Sequence, residues 1–183
     1  NIWGELYQRK YTNNYFGLRV KIPSDWEILN KDEAQERYNS LKNELSKKAP
    51  DITQKLENSE DNWHTLLRLL HVKGFPELHI MFEDLDKIPN VYNSKTYFKW
   101  SSRWVKKSGA SKFPKYFNDS IFNASIGEKR FLAHSTIKEH KSGLTYYSTC
   151  YSATYGSTLL NILVTHSNAS ERKEIHKLLE RIE

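Results

Sequence analysis

Residues Tyr11 to Ile28, YTNNYFGLRVKIPSDWEI, decide the fold class. From Phe16 onward, Phe16, Leu18, Val20 and Ile22 fall on one side of an extended chain, and Gly17, Arg19 and Lys21 fall on the other. This period of two is the pattern of a strand with one apolar face. Asn13-Asn14 precedes it as a turn signal. Pro23-Ser24-Asp25 ends it, because proline fixes φ and has no N–H for ladder pairing. Trp26 and Ile28 then resume the apolar face, so the stretch is expected to form an opening hairpin.

The rest of the chain extends the same alternation and adds helices. Upstream, Trp3, Leu6 and Tyr7 suit an arm or a first short strand. From Asp32 the period becomes helical: Ala34, Tyr38, Leu41 and Leu45 form one stripe, with Asp32 as N-cap and Ala49-Pro50 as the end. Residues Asp51 to Asn62 are polar and irregular. Leu66–Lys73 and Leu78–Leu85 then predict a second hairpin around Gly74-Phe75-Pro76-Glu77. Ser94 to Lys107 predicts a helix with a core stripe of Tyr97, Trp100 and Trp104, widened by Phe98 and Val105. Lys106 and Lys107 suit its C-terminal dipole, and Ser108-Gly109 follows it.

Ala110 to Ser125 shows no period, broken by Pro114, Asn118 and Asn123, and is expected to be loop with short pieces. Three strands follow, Glu128–Glu139, Leu144–Ala153 and Thr158–His166, with turns at Lys141-Ser142-Gly143 and Tyr155-Gly156. The last is apolar on both sides, as in a central strand covered on both faces. Asn168, with Glu171 three residues on, opens a final helix whose buried stripe is Ile175, Leu178, Leu179 and Ile182.

Composition sets the outer bounds. The chain has 183 residues, so one domain spanning 1–183 can bury roughly 70 % of its unfolded surface without disulfides. Aromatic residues make up 13 %, which favours a packed α+β globule over disorder. The net charge of +6 comes from many lysines spread along the chain rather than one block, a weak nucleic-acid signal. One cysteine, Cys150, rules out an internal disulfide and a cysteine-rich metal site. The longest stretch free of charged residues, Ser142 to Ser170, is too rich in hydroxyl and amide groups to span a bilayer as a helix.

Two separated pieces match a known arrangement. One is Asn14-Tyr15-Phe16-Gly17-Leu18 followed by Ile22-Pro23 and Trp26. The other is Phe131, Tyr146-Tyr147, Tyr155-Gly156, the strand Leu159–Thr165, and a short helix reaching Leu179 and Ile182. Together they resemble the PsbP-like fold, shared by a photosystem extrinsic protein, a Ran-binding nuclear protein and many bacterial secreted proteins and lipoproteins. The resemblance implies an antiparallel sheet with helices packed on both faces, an α/β/α sandwich. It also implies a non-catalytic protein of the cell envelope or secreted space that binds another protein, with a signal peptide or lipidated cysteine upstream of Asn1. The fold hosts unrelated roles, and the resemblance carries over no catalytic residue and no cofactor.

The motif search agrees with a non-enzyme. Phosphate-cradling glycine loops, the zincin helix and the nucleophile elbow are all absent. His71 and His79, on adjacent strands with Glu83 beyond, form a candidate divalent-metal set only if the hairpin register turns them to one side. Cys150 lies within a strand with no cation beside it in sequence, which suits core filling better than a nucleophile.

The basic-aromatic stretch from Tyr97 to Phe117 is the best contact candidate. With Tyr97, Trp100 and Trp104 assigned to the core, the expected partner-binding residues are Lys112, Phe113, Lys115, Tyr116 and Phe117. Two other function classes stay open: an intracellular adaptor, chaperone or immunity partner of a secreted effector, and a polyanion- or carbohydrate-binding protein using that stretch.

Overall fold

The computed structural model describes residues 2–29, 63–73, 75–88, 90–107, 116–139 and 145–183. The expected helix from Asp32, the loop Asp51–Asn62 and the turn at Lys141-Ser142-Gly143 lie outside these residues, as do Ser108-Gly109. Three short strands form one antiparallel sheet in the order β1 (Glu5–Tyr7), β2 (Lys10–Asn13), β3 (Leu18–Lys21). The other strands are β4 (Trp26–Leu29), β5 (Trp63–His71), β6 (Glu77–Asp84), β7 (Tyr116–Ile126), β8 (Lys129–Glu139), β9 (Thr145–Tyr155) and β10 (Thr158–His166). They make a second antiparallel sheet in the order β4-β5-β6-β10-β9-β8-β7. The helices are α1 (Ser94–Lys107) and α2 (Ala169–Leu179).

The opening stretch corrects the expected hairpin. β3 pairs with β2, with Val20 opposite Tyr11, whereas β4 joins the larger sheet with Trp26 opposite His71. Pro23 to Asp25 therefore divides two sheets. Arg9 holds the break in place, its guanidinium donating to the carbonyls of Ile22, Pro23 and Trp26. Phe16 sits in the β2–β3 connection rather than in a strand, yet it is 1 % exposed. Asn13 fixes that connection: fully buried, it donates to the Ile2 carbonyl at 2.8 Å and accepts from the Phe16 N–H at 3.1 Å.

The strands after residue 126 follow the expected boundaries to within a few residues, because two tight loops set them. Ile126 pairs with Lys129 across Gly127-Glu128, and Tyr155 pairs with Thr158 across Gly156-Ser157. Both glycines are at positive φ, +57° and +59°, as a two-residue hairpin loop of the II′ kind needs at its first position. Glycine reaches that region without steric cost.

β10 is central, and successive residues on it feed two apolar clusters. Leu160, Ile162 and Val164 group with Leu78, Ile80 and Phe82 of β6, with Leu18 and Val20 of β3, and with Ile175, Leu178 and Leu179 of α2. Leu159 groups with Leu85, Ile88 and Val91, and with Tyr97 and Phe98 of α1. Helix α2 is capped as expected: Asn168 accepts from the Glu171 N–H at 3.0 Å. The Glu171 carboxylate reaches back one residue further than the usual box, to the N–H and hydroxyl of Ser167 at 2.6 and 2.9 Å. In α1, Tyr97 and Phe98 are buried and Trp100 is half-buried against the same cluster, so the expected stripe, with Phe98 widening it, faces the core at these positions.

The largest correction falls on Ala110 to Ser125. Residues from Tyr116 onward are the edge strand β7, eleven residues long, paired with β8 from Tyr116 opposite Lys138 to Ile126 opposite Lys129. A bulge between Phe117 and Ser120 absorbs the irregular sequence. From Ser120 to Asn123 every residue is exposed, so neither face is apolar by selection and no period of two was written into the sequence.

Candidate functional site

Among the described residues two places stand out. The first is a buried cluster on the Leu159 side of the larger sheet. Glu83 of β6 is 0 % exposed, and Asn161 and Ser152, on β10 and β9, are each 1 % exposed. The Asn161 amide donates to Glu83 Oε1 at 2.8 Å, and Asn161 Oδ1 accepts from the Ser152 hydroxyl. The Cys150 thiol lies 3.8 Å from the same Oδ1. Tyr97 of α1 closes the cluster over Glu83 and Asn161. Burial, followed by the charge of Glu83, pushes its hydroxyl well above the ordinary tyrosine range.

Strand pairing explains the meeting. Asn161 lies opposite Ser152 on one side and Met81 on the other, so Glu83, two residues along β6 from Met81, shares its face. A carboxylate shut away from water and held by neutral donors ties β6, β10, β9 and α1 together. With all three polar side chains this deeply covered, the arrangement is suited to anchoring helix to sheet rather than to receiving a substrate. Cys150 belongs to it as a partly buried packing residue.

The candidate metal set does not assemble. Leu67, Leu69, Leu78, Ile80 and Phe82 point into the larger cluster, and His71 follows them, its ring 5.6 Å from that of Trp26 and its Nε2 3.5 Å from Asp25. His79 points the other way, bonded to the Thr65 hydroxyl at 2.9 Å and paired across strands with Arg68. The register thus turns the two histidines to opposite faces. Among the described residues no group of three or more His, Cys, Asp or Glu could hold a metal ion.

The second place is the β7 edge. Of the expected partner-binding residues, Lys112, Phe113 and Lys115 lie outside the described residues, and Tyr116 and Phe117 begin β7, opposite Lys138 and Ile137. Past them the strand exposes Ile121 (48 %) and Phe122 (42 %) on successive, oppositely directed positions.

The other sheet edges differ from this one. β1 and β4 are three and four residues long. β3 is closed by the chain's last residues, with Arg19 and Glu183 exchanging two backbone hydrogen bonds of 2.9 Å. Among the described residues nothing pairs with the outer side of β7.

Charge is uneven along the chain. Residues 94–118 carry seven Lys or Arg and no Asp or Glu, so the rest of the chain together is slightly acidic. The net excess therefore falls within this stretch, while the other lysines and arginines are spread along the chain among its acidic residues. Lys95 and Lys99 are exposed on α1. The ring of Phe98 lies 5.1 Å from that of His134, and His134 is the cross-strand neighbour of Ile121. The helix bearing Lys95 and Lys99 thus packs over β8, the strand next to the open edge.

No helix of the described residues is long and apolar enough to cross a membrane. No family model and no curated protein matches the chain. Solved structures do resemble it. Cyanobacterial PsbP (CyanoP) from Synechocystis superposes with a TM-score of 0.56 at 7 % identity, over 98 % of this chain and 97 % of that one. A Bacteroides thetaiotaomicron protein gives 0.48 at 13 % identity over 97 % of this chain, which spans about half (48 %) of that longer one. LpqN, involved in cell envelope biogenesis of Mycobacterium tuberculosis, gives 0.45 at 9 % identity over 90 % of this chain and 81 % of its own. The end signatures, the element order and the full-length likeness to the cyanobacterial protein show that the chain has a PsbP-like fold.

Proposed function

We propose that this chain is a non-enzymatic binding domain that engages a protein partner along the β7 edge and the basic-aromatic stretch leading into it. Lys112, Phe113, Lys115, Tyr116 and Phe117 are the approach to that surface. The observation that carries the reading is β7 itself, a long edge strand with exposed Ile121 and Phe122 that follows the basic-aromatic stretch in sequence. Long open edges are normally blunted by charge, proline or a cover, and an edge with no cover among the described residues favours a partner. We read residues 1–183 as one domain with α1 and α2 on opposite faces of the larger sheet, since Leu159 groups with α1 and Leu160 with α2. The end signatures support a place in the cell envelope or secreted space.

The test is a photo-crosslinking residue placed at Phe122 in the full chain, with the same residue at exposed Tyr92 as control, applied in the native cells. A discrete cross-linked protein from the Phe122 position, absent from the control, supports the reading. Equal labelling from both positions counts against it. The run of seven cations favours one second reading, a polyanion-binding surface. Oligonucleotide or sulfated-glycan binding that weakens steeply with added salt would replace the first reading with this one.

A further inference from the structure

We propose that the partner contributes an extended, amphipathic acidic segment that adds to β7 as an eighth strand of the larger sheet. This rests on the partner-binding reading and specifies what the partner must look like. Strand addition needs a row of unsatisfied backbone groups, and β7 supplies one, since from Ser120 to Ile126 its inner side is paired to β8 and nothing among the described residues pairs with its outer side. Between Ser120 and Ile126 the strand has no charged residue and no proline, so nothing in that stretch repels an incoming strand.

The two faces of an added strand meet different surroundings. Ile121 lies on the face where His134 packs against Phe98 of α1, the helix that bears exposed Lys95 and Lys99. Phe122 pairs with buried Ala133 on the opposite face, where the apolar ring is itself exposed. The complementary strand therefore alternates Glu or Asp toward α1 with branched apolar residues toward Phe122. Its acidic side chains meet the lysines, and their aliphatic stems lie over Ile121. A second copy of this chain fits less well. Its own β7 carries one carboxylate, Asp119, and is led in by the same cationic run, so like charges would be brought together.

The experiment uses the full chain and synthetic ten-residue peptides. One alternates Glu and Val, one alternates Lys and Val, and two repeat the Glu/Val sequence with N-methyl groups on alternate residues, one in each frame. Amide exchange along β7 is followed during titration. The Glu/Val peptide should bind and slow exchange across Ser120–Ile126, and one N-methylated frame should abolish both effects. Phe122→Lys should weaken binding about tenfold or more, since it sets a charge on the covered face.

Glu/Val binding that leaves β7 amides unprotected overturns strand addition while leaving partner binding intact. Equal binding of the Lys/Val peptide overturns the acidic assignment. Protection of β7 by self-association without peptide replaces the partner with a second copy. If no peptide binds and the Phe122 cross-link is also absent, the partner-binding reading falls with the proposal.

Discussion

Asn161 of β10 donates its side-chain amide to the fully buried carboxylate of Glu83 on β6 at 2.8 Å, joining two central strands through their side chains as well as their backbones. Removing the donor leaves a buried carboxylate and the Ser152 hydroxyl each short of a partner. Asn161→Ala should therefore cost about 2–4 kcal/mol in urea unfolding, more than an ordinary polar truncation. A cycle with Glu83→Gln should show a coupling of about 0.5–3 kcal/mol. Additive single effects would mean that the contact carries no energy of its own.

His79 makes stability depend on acid. Burial, followed by the charge of Arg68, lowers its pKa to about 4, against about 6.5 in an unfolded chain. The groups facing it are Arg68, itself bonded to Glu77, and the Thr65 hydroxyl. Between these two pKa values the unfolded state binds the proton and the folded state does not. The contribution of His79 is thus intact above pH 6.5 and is lost progressively down to about pH 4, reaching roughly 3 kcal/mol. His79→Gln should flatten that limb of the stability–pH curve, and an unchanged limb would assign the acid sensitivity to other groups.

The two hairpin glycines should differ in tolerance. Both need positive φ, so alanine at either costs about 1 kcal/mol in backbone strain. A Cβ at Gly156 meets nothing within 4 Å, whereas one at Gly127 would lie 2.9 Å from the Ile182 carbonyl oxygen. That oxygen belongs to backbone tied down by the Val20–Ile182 bridge, so it cannot easily yield. Gly127→Ala should lower Tm clearly more than Gly156→Ala, and equal shifts would show that the C-terminal backbone gives way.

These contrasts show which parts of the molecule were legible in the chain. Strands after residue 126, helix α1 and helix α2 were readable because local signals, the Gly127 and Gly156 loops and the Asn168 cap, coincide with burial. The β1–β2 hairpin was not, because its loop places Gln8 and Arg9 at positive φ where glycine or asparagine is expected. The division at Pro23 depends on Arg9 reaching three carbonyls from the β1–β2 loop. The Glu83 cluster had no signal, since its residues are scattered over β6, β9, β10 and α1 and only sheet register unites them. β7 was hidden for the opposite reason: an edge strand open on both sides has no buried face to write a period.

Phe122 separates surface from core. At 42 % exposure its ring stabilises the fold little, so Phe122→Ala should change unfolding free energy by no more than about 0.5 kcal/mol. Leu160, 0 % exposed on the central strand, should cost about 2–5 kcal/mol on truncation to alanine. The pair calibrates every binding experiment on the edge, because a Phe122 variant that loses its partner while keeping its urea midpoint has lost a surface and not a fold. A midpoint that falls as far as that of Leu160→Ala would place Phe122 in the core, and the β7 edge would then have to be reassigned from contact surface to structural support.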